Sequence, residues 1–161
     1  MNSLDSFIKL KYEILTCDTD TWHLCRTYPI EVQRSWAWRC ATDAECMVKD
    51  LPVIERCIEV TKRYRNNSAT KEELDTALDT AWTFCMSSDD GGYFTWNAYS
   101  VARAFVCAVD PEVTALAVVA QFSARAVSCN GNYSIQTVLY TTKWDLYIEW
   151  LVEELRRYHS T

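Results

Sequence analysis

Residues 50–85 read DLPVIERCIEVTKRYRNNSATKEELDTALDTAWTFC, two apolar stripes on either side of one polar turn. Val53, Ile54, Cys57, Ile58, Thr61 and Tyr64 recur at the three- and four-residue intervals that put side chains on one face of an α-helix. Asp50 stands where it can cap that helix. Pro52 falls in the first turn, where a missing N–H costs nothing. Asn66-Asn67-Ser68 ends it. Thr70-Lys71-Glu72-Glu73 is then a capping-box pattern, in which hydroxyl and carboxylate satisfy reciprocal backbone donors. The helix it opens places Leu74, Ala77, Leu78, Ala81, Trp82 and Cys85 on a buried stripe, with Glu72, Asp75 and Asp79 on the other face. Two such helices joined by a short turn predict antiparallel neighbours.

The same period extends in both directions. Upstream, a helix over 30–49 carries Trp36, Cys40, Ala44, Met47 and Val48 on one face. Before it, Leu4, Phe7, Ile8 and Leu15 predict a helix from about Ser3 to Thr16, followed by a short turn through Trp22 and Leu24 that Pro29 closes. Downstream, Ser87-Ser88-Asp89-Asp90-Gly91-Gly92 is the strongest loop signal. A helix over 95–109 follows, and Asp110-Pro111-Glu112 reads as the start of another, over 111–129, stopped by Asn130-Gly131. The last helix covers 133–158, continuous or interrupted near Thr141-Thr142, with Trp144, Tyr147, Ile148, Leu151, Val152 and Leu155 as its stripe. The expectation is an all-α fold: one domain over 1–161, an antiparallel bundle or array of seven or eight helices. Composition agrees, since 161 residues with only three Gly and three Pro cannot supply the turns of an all-β fold.

The net charge is −6, unevenly spread. From Glu72 to Glu154 twelve acids face three bases (Arg103, Arg125 and Lys143), so the rest of the chain is net basic. An acidic surface of this kind repels phosphates, which argues against nucleic acid and for a basic protein partner. No uninterrupted apolar run is longer than the six residues of Ala115 to Ala120, far too short to span a membrane. The N-terminus is broken by Asp5, Lys9, Lys11 and Glu13 and does not read as a signal peptide, so a cytoplasmic location is expected.

Eight cysteines stand along the chain without a CxxC, and only His23 and Cys25 lie close together. They read as small buried hydrophobes, with neither metal nor cofactor expected. The other histidine, His159, lies at the C-terminal end. Glycine-rich phosphate loops and Glu-x-x-His patterns are absent from the sequence, so an enzyme would have to rest on His23 and Cys25 alone.

Ala102-Arg103-Ala104 with Cys107 recurs as Ala124-Arg125-Ala126 with Cys129. Small residues here predict a close helix pair at the centre of the fold. Arg103 and Arg125, about 12 Å apart along an antiparallel hairpin, read as two separate structural ion pairs. The acids Asp75, Asp79, Asp89 and Asp90, with Tyr93 and Trp96 as aromatic anchors, form the candidate partner-binding face. Of the remaining tryptophans, Trp36, Trp82, Trp144 and Trp150 are expected in the core, and Trp38 beside an interface.

Trp38-Arg39-Cys40-Ala41, Ala44-Glu45-Cys46-Met47-Val48, Leu51-Pro52 and Arg56-Cys57-Ile58-Glu59 resemble the opening of an all-helical family of immunity proteins encoded beside bacterial polymorphic toxins. The acidic helix after Ser68-Ala69-Thr70, the Ala-rich helices and the amphipathic closing helix follow in the same order, so the resemblance covers about Trp36 to Tyr158. This chain carries more Cys, Trp and Tyr and fewer Ala than such proteins. The resemblance implies a non-enzymatic protein that neutralises a partner by binding it, and it brings no catalytic residues. Two other functions stand behind this one: a phage-encoded anti-defence protein mimicking the charge of DNA, and a small Cys/His enzyme.

Overall fold

The computed structural model of the protein describes residues 28–87, 93–113, 116–128 and 133–160. The helix expected over 3–16 and the turn through Trp22 lie outside them. The fold is all-α, and the described residues contain six α-helices and no strand. They are α1 (Ile30–Ala44), α2 (Pro52–Arg65), α3 (Lys71–Ser87), α4 (Tyr93–Val109), α5 (Ala117–Ser128) and α6 (Tyr133–Ser160).

Local chemistry sets most of these boundaries. At the start of α3 the Glu73 amide donates to Thr70 Oγ1 at 3.1 Å and the Thr70 amide to Glu73 Oε2 at 2.7 Å, a reciprocal capping box. Those bonds hold the Glu73 carboxyl below its ordinary value, the Thr70 amide contributing most. At the end of α2, Asn67 adopts φ 57°. Its amide reaches Tyr64 O at 3.0 Å, and the Ser68 amide reaches Arg63 O at 2.8 Å. This is the paired closure of a left-handed helix stop, with asparagine in the position usually held by glycine.

Three boundaries differ from expectation. The helix over 30–49 ends at Ala44 and tightens into a 3-10 turn, Glu45–Val48, once the Glu45 amide bonds Thr42 O, three residues back. Asp50 does not cap α2: it takes φ 76°, and its amide donates to Glu55 Oε1 at 3.2 Å while Leu51 occupies the cap position. Asp110 does not start a helix either. Its amide still bonds Val106 O at the end of α4, its Oδ1 accepts from the Glu112 amide at 3.0 Å, and α5 begins only at Ala117. The Arg34 guanidinium holds this bend from α1, donating to the carbonyls of Ala108 and Val113. Of the two alternatives for the last helix the continuous one holds: α6 runs through Thr141-Thr142 for 28 residues, about 42 Å.

α4 packs most extensively on α5, as the small-residue pattern predicted, and both lie against α1. Two apolar clusters form on adjacent faces of α1. Ala37, Ala41 and Ala44 meet Ile54, Ile58, Leu74, Ala81, Val101 and Phe105 in one of them. Trp36 and Cys40 meet Ala120, Ala124, Trp144, Tyr147, Leu151 and Leu155 in the other. Trp36 is fully buried and its indole N–H donates to Tyr147 O at 2.6 Å. The Tyr147 phenol donates to Asp43 Oδ2 at 2.9 Å, and Lys143 Nζ lies 2.8 Å from the same oxygen, so α1 and α6 are joined by polar as well as apolar contact. Burial, reinforced by Asp43, pushes the Tyr147 phenol well above its ordinary value, so it remains a donor.

Candidate functional site

Helix α3 has one face in the first cluster and one in water. Leu74, Ala81 and Cys85 are buried. Glu72, Asp75 and Asp79 are exposed, as their spacing predicted. Trp82 was expected with the buried set and is instead 39% exposed. Ala81 is fully buried in the first cluster, and one further residue is a 100° turn that carries Trp82 to the rim. Met86, one turn on, is 63% exposed. Asp75, Asp79, Trp82 and Met86 thus follow one another at steps of four, three and four along a single exposed stripe.

Helix α4 adds to this stripe from the side. Trp96, 49% exposed, packs edge-on to Trp82 with ring centroids 5.6 Å apart. Tyr99 lies 5.1 Å from Trp82 and 6.1 Å from Trp96, closing a three-ring cluster. Burial raises the Tyr99 phenol; Arg103 works against it, and the Asp79 carboxylate is among the charges that reinforce it. The acids and the rings therefore share one electrostatic neighbourhood.

The structure brings together Asp75, Asp79 and Trp96 of the expected face. Asp89 and Asp90 lie outside the described residues, and of Tyr93 only the backbone, at the start of α4, is described. Sequence reasoning missed Trp82, Met86 and Tyr99. The signal for the first two was present in the spacing Asp79, Trp82, Met86, which matches the acidic face as well as the apolar one.

Charge within the site is not uniform. Lys71 Nζ bonds Asp75 at 2.6 Å and Asp110 at 3.0 Å, and Asp75 followed by Asp110 raises the Lys71 ammonium against the opposing effect of its burial. Asp79 has no cationic partner among the described residues.

Arg103 departs from its expected ion pair. Its guanidinium lies 5.1 Å from the Phe122 ring centroid, and no carboxylate among the described residues pairs with it. The close packing of α4 on α5 brings the Phe122 ring to this guanidinium. The Arg125 side chain lies outside the described residues. Trp38, expected near an interface, is already covered: Arg65 stands 4.1 Å over its ring and Phe105 meets it edge-on at 5.2 Å. Trp144 and Trp36 are buried as expected. Trp150 is half-buried against the second cluster.

The grooves offer little reactive chemistry. A groove of about 490 Å³ between α2 and α3 is lined by Val53, Arg56, Cys57, Val60 and Thr76 among others. Burial pushes the Cys57 thiol there up to about 12, far from a reactive thiolate. His23 and Cys25 lie outside the described residues, as does the side chain of His159. Among the described residues, His, Cys, Asp and Glu form no group of three that could hold a metal ion, and no helix is long and apolar enough to cross a membrane. Compared with known protein families, with curated proteins and with solved structures, the chain matches none.

Proposed function

We propose that this is a non-enzymatic, cytoplasmic protein-binding module of the immunity or inhibitor type, which neutralises a basic protein through the exposed face of α3 and the adjoining rim of α4. The observation that carries this reading is the stripe Asp75, Asp79, Trp82 and Met86, extended sideways by Trp96. Large apolar side chains left in water beside acids have the composition of a binding surface: aromatic anchors exclude water and the charges select and steer a basic partner.

Affinity purification of the tagged protein, with partners identified by mass spectrometry, tests the proposal when paired with the double variant Asp75→Lys, Asp79→Lys. Both positions are exposed, so the helical circular-dichroism spectrum should not change. A basic protein should co-purify in fixed stoichiometry with the wild type, dissociate as salt is raised, and be lost from the double variant. A partner that the double variant retains at full strength overturns the assignment of this face.

A further inference from the structure

Elsewhere on its surface this protein covers its aromatic rings with its own arginines. Arg39 stands 4.2 Å over the Trp150 ring while its Nη1 lies 2.6 Å from Glu153 Oε2. Trp150 and Glu153 are three residues apart on α6, so one guanidinium reaches a flat ring and a carboxylate on the same helical face. Arg65 over Trp38 and Arg103 over Phe122 repeat the stacking without an acid.

Helix α3 carries the same pair of receptors. Asp79 and Trp82 are three residues apart, both exposed, and Trp96 adds a second indole beside the first. Among the described residues no lysine or arginine lies over Trp82 or Trp96 and none pairs with Asp79. Like Trp150–Glu153, the pair sets a ring and a carboxylate three residues apart on one helix, in the opposite order along the chain.

We infer that an arginine of the basic partner occupies this seat, its guanidinium stacked on the Trp82 ring with the Trp96 indole beside it, and hydrogen-bonded to the Asp79 carboxylate. This rests on the reading of α3 as the binding face and names the side chain that the face receives. Charge complementarity selects a cation, since Asp79 pairs with no cation among the described residues and Asp75 shares Lys71 with Asp110. Arginine fits better than lysine for two reasons. Its guanidinium is planar and weakly hydrated, so it stacks on a ring at small desolvation cost. It also keeps donors at its edge for a carboxylate while its face is covered.

The test uses a short capped peptide of two arginines separated by glycines, and its lysine and citrulline counterparts. Citrulline keeps the shape of the head group and removes its charge. Each is titrated into the full-length protein with ¹⁵N-labelled indoles, the signals being assigned with Trp82→Phe and Trp96→Phe. The arginine peptide should shift the Trp82 and Trp96 indole signals and leave that of the buried Trp36 in place. It should bind about threefold more tightly than the lysine peptide, the citrulline peptide should not bind, and Asp79→Asn should weaken arginine binding by about threefold to tenfold. Equal shifts from the lysine and arginine peptides, or shifts unaffected by Asp79→Asn, overturn the arginine seat. The two readings fail separately: loss of the basic partner from Asp75→Lys, Asp79→Lys with no indole response to arginine leaves the binding face standing and removes the seat.

Discussion

Two tryptophans of the same chain show how little the residue type decides. Trp36 is enclosed on all sides and spends its one donor on Tyr147 O at 2.6 Å, so the indole is both packing and a bolt between α1 and α6. Trp82 lies on the rim of α3, packed against the Trp96 and Tyr99 rings, which are themselves partly in water. The same substitution should therefore have unequal effects. Trp36→Phe removes a buried hydrogen bond and leaves a void, and should lower urea-unfolding stability by about 1–3 kcal/mol. Trp82→Phe keeps the ring stacking and should change it by about 0.5 kcal/mol or less, while weakening partner binding. Equal losses at the two positions would place Trp82 in the core.

At the scale of the element, the turns carry the polar chemistry. Thr70 and Glu73 close the start of α3, and Thr70→Ala should cost about 1 kcal/mol by chemical denaturation. The bend after α4 depends on Asp110. Burial alone would raise its carboxyl, but the Glu112 amide and the Lys71 ammonium outweigh that and leave it below the ordinary value of 3.8. A group whose folded value is depressed stabilises the fold above its unfolded value and loses that contribution as pH falls through the folded one. Asp110→Asn should accordingly lower stability near neutral pH and flatten the acid limb of the stability curve below about pH 4. Thermal melts of both proteins from pH 7 to pH 2 check this, and an unchanged acid limb would show that Asp110 contributes nothing to it.

At the scale of the whole molecule, α1 and α5 each supply residues to both apolar clusters. Neither cluster can come apart while the other keeps those two helices in place, so unfolding should be one transition. Leu151→Ala opens a cavity in the second cluster and should cost about 2–5 kcal/mol. The loss should appear at the same urea midpoint by near-ultraviolet signals from Trp36 and Trp144 and by far-ultraviolet helicity of the whole chain. Separate midpoints would mean that the clusters are independent.

What the sequence determined by itself was whatever depends on residues close along the chain. The 3.6-residue stripes, the Thr70–Glu73 box, the Asn67 stop and the shortage of Gly and Pro define helices and their turns through local hydrogen bonds and backbone preference, and from them the all-α class follows. The exposed acids Asp75 and Asp79 were legible for the same reason: a helix fixes which residues share a face. Tertiary structure alone decided what covers each face. Ala81 against the first cluster turned Trp82 outward, α4 brought Trp96 and Tyr99 beside it, Phe122 rather than an acid received Arg103, and Arg65 covered Trp38. Each of these depends on a neighbour far along the chain, and the periodicity of a single helix says which way a side chain points but not what stands opposite it.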